Sequence, residues 1–135
     1  MLQKLSHATI FCLDQDESKR FYTEKLGFEV RTDMTMGTFR WLTVAPPGQD
    51  LELVLMKVNA SPPFDADSAE QIRGLIARGI LGGGVFETAD CRATYQELKA
   101  RGVEFMGEPV ERPYGVEVML KDNSGNLFSV VQRPR

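Results

Sequence analysis

One supersecondary pattern occurs twice in this chain, and the repeat constrains the fold more than any other feature of the sequence. Residues 7–14 (HATIFCLD) have the pattern of a strand that ends in an acidic residue, and the amphipathic stretch that follows stops at residues 26–28 (LGF). Residues 83–90 (GGVFETAD) start the same pattern about 76 positions later, and the second amphipathic stretch stops at residues 101–105 (RGVEF). Because this offset exceeds half of the 135 residues, two copies of one unit fill the chain.

Polar residues and glycines mark the ends of the two predicted helices. Asp14 is placed to cap the first helix, with Glu17 three residues on as the second member of a capping box, and Asp90 is placed to cap the other helix. Gly27 and Gly102 follow the two helices at the C′ position, where a left-handed backbone costs glycine little. Each unit therefore contains one helix with defined ends.

The strands complete two units of the same order. The first unit has predicted strands at residues 8–13, 28–32, 38–44 and 51–58. The second unit has predicted strands at residues 83–88, 103–106, 116–120 and 127–132. Apolar residues on both faces of the terminal strands fit a curved sheet, with one face on the helices and the other lining a cavity.

We therefore predict an α+β fold with two tandem β-α-β-β-β modules, whose curved mixed sheets line a cleft. The modules cover about residues 4–58 and 81–133 of a single domain, 1–135. The linker, residues 59–80, contains a short amphipathic helix, and Ser68 with Gln71 predicts a capping box at its start.

Composition and charge exclude several classes of protein. A net charge of −3 without a basic run lacks the pattern of a nucleic-acid binder. No apolar run approaches the length of a membrane span, and the first residues do not open a signal peptide, so we expect a cytoplasmic protein without membrane contact. Cys12 and Cys91 occupy nearly equivalent places in the two units, which favours small buried apolar residues over a disulfide or a catalytic thiol.

Several motifs together point to a known family. Phe21-Tyr22 precedes residues 26–28 (LGF), Glu52 lies in the Leu-Glu-Leu of residues 51–53, and a dense turn signal covers residues 122–126 (DNSGN). With these motifs, and with His7 in the first strand, the chain resembles the vicinal oxygen chelate superfamily, which includes glyoxalase I, fosfomycin- and bleomycin-resistance proteins and extradiol dioxygenases. The resemblance covers almost the whole chain and implies a homodimer with sites between modules, but that superfamily spans several chemistries.

The same resemblance implies where a metal would bind. In metal-using members the ligands come from the first and last strand of each half, and these positions are His7, Glu52, Gly83 and Ser129 here. Glycine has no ligating side chain and a serine hydroxyl is a poor ligand, so a site for Zn, Ni, Mn or Fe would be incomplete. The chain contains one histidine, which argues against a 2-His-1-carboxylate iron site and leaves a glyoxalase I-type or fosfomycin-type site half-built.

Glu52 is the candidate for catalysis. It shares a strand face with Val54 and Met56, and a carboxylate on an apolar face must be paired, metal-bound or neutralised. A salt bridge to Arg40 or another arginine is one possibility. An unpaired Glu52 would have a raised pKa and would serve as a general base.

The glycine-rich segment of the second module leaves further alternatives open. Gly82-Gly83-Gly84 removes side chains from one strand, which allows a backbone or a ligand to approach closely, or marks a bulge. Glu87 lies four residues after Gly83 and is expected on the same face, either as a substitute carboxylate or as a paired surface group.

Apolar and aromatic residues suggest a pocket for an apolar or aromatic ligand. The candidate ligand-binding residues, which core packing would also explain, are Phe11, Phe39, Trp41, Val54, Met56, Tyr114, Ser129 and Val131. The first hypothesis is a small-molecule binding protein of the bleomycin-resistance type, with the ligand in the cleft between modules. The alternatives are a metal-dependent lyase or isomerase that uses His7 and Glu52, and a module that only dimerises. The face of the strand at 38–44 that points into the cleft stays open.

Overall fold

Each half of the chain folds into one helix and one sheet, in the order that the repeat predicts. The computed structural model describes residues 1–59 and 61–134. The elements of module one are β1 (His7–Cys12), α1 (Gln15–Arg20) with its π-helical continuation (Phe21–Lys25), β2 (Glu29–Met36), β3 (Phe39–Ala45) and β4 (Glu52–Lys57). Ala60, which falls in the predicted linker, and Arg135 lie outside the described residues.

Module two repeats this order after one intervening helix. That helix is α2 (Ala66–Ala77). The elements of module two are β5 (Gly82–Glu87), α3 (Cys91–Ala100), β6 (Glu104–Phe105), β7 (Val110–Arg112), β8 (Gly115–Lys121) and β9 (Leu127–Gln132). The predicted strand at residues 127–132 is confirmed to the residue. The three-residue β7 was not predicted, because it lies between two prolines and is too short to show a period.

The predicted helix ends of both modules are confirmed. Asp14 Oδ1 accepts the backbone N–H of Glu17 at 2.9 Å, and Asp90 Oδ1 accepts that of Ala93 at 3.0 Å. Gly27 and Gly102 follow the two helices with φ values of 75° and 90°. These are left-handed values that favour glycine at C′.

The start of α2 differs from the prediction. Asp65, not Ser68, is the N-cap, and its Oδ1 accepts the backbone N–H of Ser68 at 2.7 Å. The helix therefore begins three residues earlier than predicted, because the carboxylate of Asp65 caps the first turn by accepting the N–H of Ser68 itself.

Two mixed sheets result, and the α+β class is confirmed. Sheet one has the order β1-β4-β3-β2, and sheet two has the order β5-β9-β8-β6 with β7 paired to β8. The first strand of each module runs parallel to the last, and the other pairings are antiparallel. β1 and β5 are therefore edge strands of their sheets.

The core lies between the two sheets and includes the helices. Leu42 and Leu55 of sheet one share a buried cluster with Leu120 and Phe128 of sheet two and with Tyr22. The opposite face of each sheet, which we call its open face, therefore points away from the core. No helix in the described part of the chain is long and apolar enough to cross a membrane.

Both cysteines belong to this core. Cys12 and Cys91 are free and buried, as expected for small apolar residues. Burial raises the pKa of Cys12 to about 11 and also raises the pKa of Cys91. A raised pKa keeps both groups in the unreactive thiol form, which argues against a catalytic thiol.

A bulge interrupts the glycine-rich strand β5. The pairing with β9 shifts between Gly82 and Gly84, so Gly83 turns toward the core. A Cβ on Gly83 would lie 2.5 Å from the ring of Phe128. The space left by the missing side chain is thus filled by an aromatic ring of the same sheet.

Candidate functional site

The open face of sheet one brings most of the predicted site residues together. β1 and β4 pair in register, with His7 opposite Glu52 and Phe11 opposite Met56. Side chains alternate between faces along a strand, so Val54 lies on this face too. β3 presents Phe39, Trp41 and Thr43 here, while Leu42 and Val44 enter the core. This resolves which face of the third strand is open.

His7 and Glu52 are held at the centre of a polar group on this face. His7 Nε2 lies 3.7 Å from Glu52 Oε1, and His7 Nδ1 is 2.8 Å from the hydroxyl of Ser6. The hydroxyl of Thr43 donates to Glu52 Oε1 at 2.6 Å. Thr43 is completely buried, so its hydroxyl holds the carboxylate of Glu52 from the buried side.

Thr43 was missed at the sequence level, although one signal pointed to it. It alternates with Phe39 and Trp41 and so had to share their face, but the sequence did not show that this face also carries Glu52. A threonine in a strand is so common that its hydroxyl alone indicates nothing.

Arg40 does not pair with Glu52, contrary to one of the possibilities raised by the sequence. It lies on the other face of β3, where its guanidinium binds Asp33 at 2.9 Å and Asp16 at 2.6 Å. Hydrogen bonds from Arg40 lower the pKa of both carboxyl groups, and Lys19 adds to the effect on Asp33. The partners of Glu52 are instead Thr43 and His7.

Aromatic rings share the open face of sheet one with the polar group. The ring of Trp41 lies 5.7 Å from that of His7 and 6.5 Å from that of Phe39, measured between centroids. Phe11 meets Phe64 of the linker edge-on at 5.3 Å. Phe11, Phe39, Phe64 and Met56 line a recess of about 270 Å³. The open face of sheet one therefore offers an aromatic surface with one carboxylate and one imidazole.

The remaining predicted residues lie in module two. Ser129 and Val131 are on the open face of sheet two, opposite Met119 and Glu117 in the register of β8 and β9. Tyr114 lies in the exposed turn between β7 and β8. These residues share neither a sheet nor a hydrogen-bonded edge with those of module one.

The bulge in β5 changes two positional expectations. Val85, not Gly83, is the register partner of Ser129, and so occupies the place that His7 has opposite Glu52. Glu87 lies on the face of Val85 but not of Gly83, and it pairs with Arg133 at 2.6 Å. The position that the resemblance assigns to a metal ligand thus carries a valine.

The residues present do not fit a resident metal ion. His7 and Glu52 supply two donors, and the opposite sheet presents Val85 and Ser129 at the related positions. Among residues 1–59 and 61–134, no three His, Cys, Asp or Glu side chains are grouped closely enough to hold a metal. Two donors fall short of the three protein ligands of catalytic zinc sites.

A cavity also lies between the two modules. A half-open cavity of about 770 Å³, which we call the junction cavity, lies between the turn before β4, the strand β5 and the helix α3. Its lining includes Leu26, Phe28, Pro46, Gln49, Val85, Phe86, Thr88, Thr94, Glu97, Leu98 and Arg101. None of the predicted ligand-binding residues is among those that line the junction cavity.

Comparisons with known proteins agree with the fold. The family model described as the Glyoxalase/Bleomycin resistance protein/Dioxygenase superfamily matches residues 4–130. The chain belongs to this superfamily.

Individual relatives cover the chain almost end to end. The crystal structure of UcmS2 is similar with 51% identity and a TM-score of 0.91, over 98% of this chain and 99% of that one. TnmS3, an antibiotic binding protein from Streptomyces sp. CB03234, is 30% identical with a TM-score of 0.77, over 98% of both chains. YetH of Bacillus subtilis (strain 168) is 36% identical over 129 residues, which are 95% of this chain and 97% of YetH.

Proposed function

We propose that the protein binds a small apolar or aromatic molecule on the open face of sheet one, as a binding protein of the bleomycin-resistance type. The observation that carries the proposal is that Phe11, Phe39 and Trp41 share one sheet face with the His7–Glu52 pair. Pockets of this kind combine apolar walls with a few polar groups that orient the ligand. The similarity to TnmS3, described as an antibiotic binding protein, supports the same class of function.

The polar pair gives the surface its specificity. Glu52 Oε1 already accepts a hydrogen bond from Thr43, and a half-buried carboxylate has further lone pairs for a donor on the ligand. The imidazole of His7 presents Nε2 beside it. A ligand with an apolar body and a hydrogen-bond donor at one end fits this arrangement.

A second copy of the chain would complete the pocket. The open faces carry large exposed apolar side chains, which include Met34 and Met36 on sheet one and Val85 on sheet two. Exposed apolar patches of this kind mark surfaces that bind a partner or a ligand. We propose a homodimer in which sheet one of one protomer faces sheet two of its partner, which would bring Ser129, Val131 and Tyr114 to the same pocket.

A compound screen by thermal shift in metal-free buffer tests the function. A library of apolar and aromatic compounds is added to the full chain, and a ligand of the folded state raises its stability by RT ln(1 + [L]/Kd). The best compound is then titrated by calorimetry into the wild type and into Trp41→Ala. Loss of the Trp41 ring is expected to weaken binding at least tenfold, because a buried aromatic anchor commonly contributes about 2 kcal/mol of binding free energy.

The control is Ile80→Ala, which removes an exposed apolar side chain outside both sheets and is expected to leave the affinity unchanged. Light scattering of the same samples measures the oligomeric state. Compounds that bind equally well to Trp41→Ala would place the site elsewhere. A divalent metal that binds stoichiometrically and depends on His7 and Glu52 would replace the proposal with a lyase or isomerase.

A further inference from the structure

The two modules meet at two related junctions, and one of them is filled by side chains. There, the turn 122–126 before β9 packs against the end of β1 and the start of α1. Asn126 Nδ2 donates to the carbonyl of Phe11 at 2.7 Å, and the backbone N–H of Leu13 donates to Ser124 Oγ at 3.0 Å. The phenol of Tyr22 crosses this junction and donates to Asp122 Oδ2 at 2.7 Å.

The other junction has the same plan but different residues. The turn 45–49 before β4 takes the place of the turn 122–126, and α3 takes the place of α1. The repeat offset of about 76 positions relates Tyr22 to Leu98 and Ser18 to Thr94. Leu98 has no ring to cross the junction, and Pro46 and Pro47 have no N–H or polar side chain to close it.

The missing groups leave the junction cavity. Its volume of about 770 Å³ is within the range of roughly 300–1,000 Å³ seen for small-molecule pockets. The amide of Gln49, which stands in the place of Asn126, donates to the carbonyl of Leu51, two residues further along module one. The cavity therefore exists because one of two equivalent junctions lacks the phenol and the turn side chains that fill the other.

The walls of the cavity indicate the chemistry of an occupant. Phe28 and Phe86 meet edge-on at 5.5 Å, and Leu98 adds an apolar wall. The hydroxyls of Thr88 and Thr94, which are 2.7 Å apart, are a polar group in the same lining.

The charges at the rim are paired with each other. Arg101 binds Glu97 at 2.6 Å and also donates to the carbonyl of Lys25 at 2.9 Å. Glu87 binds Arg133 at 2.6 Å. A neutral ligand is therefore favoured over an ion, because an ionic ligand would compete with existing pairs.

We propose that the junction cavity is a second small-molecule site, distinct from the open face of sheet one, that takes a neutral phenol. In the junction cavity, the ring of the phenol occupies the place that corresponds to that of the Tyr22 ring in the filled junction. It packs against Phe28 and Phe86. Its hydroxyl bonds to the Thr88–Thr94 pair. Aromatic rings favour edge-to-face contacts, which the rings of Phe28 and Phe86 offer to the ring of the ligand. The threonine hydroxyls can bond to the phenol hydroxyl because hydroxyl groups both donate and accept.

Binding of 2-naphthol to the full chain tests the proposal, with naphthalene as the probe that lacks the hydroxyl. Saturable binding of 2-naphthol is followed by ligand-observed NMR. Thr94→Val removes one hydroxyl at nearly constant volume, and it is expected to weaken 2-naphthol about threefold to tenfold, the range of one hydrogen bond, without changing the affinity for naphthalene. Leu98→Tyr places a ring where Tyr22 stands in the filled junction, and is expected to abolish binding of both probes.

The effect of Thr94→Val distinguishes this site from the open face of sheet one, because Thr94 lies on α3 and lines the junction cavity. Ile80→Ala, outside the cavity lining and both sheets, is the control and is expected to leave the affinity for 2-naphthol unchanged. Circular dichroism checks the fold of every variant. If Leu98→Tyr does not fold, the comparison of the two probes in Thr94→Val decides. The proposal is wrong if 2-naphthol does not bind, or if Thr94→Val leaves its affinity unchanged.

Discussion

The hydroxyl of Tyr22 donates to Asp122 Oδ2 at 2.7 Å, and this bond joins the two modules across 100 positions of the chain. Both residues are buried. The other oxygen of Asp122 accepts the backbone N–H groups of Ser124, Gly125 and Asn126 at 2.9–3.0 Å. One carboxylate therefore closes the turn before β9 and binds the helix of the other module.

Loss of this bond should destabilise the whole domain. Tyr22→Phe keeps the ring but leaves the buried carboxylate of Asp122 with one donor fewer, which is expected to cost about 1–3 kcal/mol of unfolding free energy. Urea denaturation followed by circular dichroism measures the difference. Tyr114→Phe is the matched control, because Tyr114 is exposed and its change should stay within about 0.5 kcal/mol. Equal effects of the two substitutions would contradict a stabilising role of the Tyr22–Asp122 hydrogen bond.

Cys12 should make the stability depend on alkaline pH. Burial raises the pKa of its thiol from 9.0 to about 11 in the folded protein. Because the folded pKa is the higher one, the contribution is complete below about pH 9 and is lost as the pH rises toward 11. The wild type should lose about 2 kcal/mol more than Cys12→Ala between about pH 8 and pH 10.5 in urea titrations. Parallel pH profiles of the two proteins would contradict the shift.

The strand β5 has no room for a side chain at Gly83. A Cβ on Gly83 would lie 2.5 Å from the ring of Phe128, which is stacked on Phe86 at 4.6 Å and has little room to move. Gly83→Ala is therefore expected to cost about 1–3 kcal/mol by overpacking. Gly82→Ala is the neighbouring control, since no atom lies within 4 Å of its Cβ position. Thermal denaturation of both variants should separate them, and similar melting temperatures would show that the ring can shift.

The site on sheet one should not retain a metal ion. His7 and Glu52 supply only two of the three or more protein ligands that a metal site needs. Protein purified without chelator is therefore expected to hold far less than one equivalent of Zn, Ni, Mn or Fe. Mass spectrometry of the metal content should give the same low value for His7→Ala. About one equivalent in the wild type, lost in the variant, would contradict this prediction and point to a lyase or isomerase.

Local sequence signals were sufficient for the fold. The repeated strand-helix pattern predicted two modules, and the caps Asp14 and Asp90 with Gly27 and Gly102 predicted the ends of both main helices. Each of these signals depends on hydrogen bonds or backbone angles within a few residues, so a single chain shows them directly. The start of α2 was misplaced by one turn, because Asp65 and Ser68, three residues apart, are both of a type that suits a cap.

The candidate site was predicted only in part. Strand alternation placed His7 with Phe11 and Glu52 with Val54, but a period of two residues does not say which face a sheet buries. The counted spacing to Gly83 was wrong for the register, because one extra residue at the bulge shifts every later position of β5 relative to β9.

The amino-acid sequence alone determined the order of elements, the two-module plan and the superfamily, because these depend on periodicity, caps and short motifs. The tertiary structure decided that Thr43 orients Glu52, that Val85 faces Ser129, and that one junction is filled while the other holds a cavity. Each of these is a relationship between side chains far apart in the chain or across a bulge. Such contacts depend on how the sheets pack and register, and no local pattern of residues encodes them.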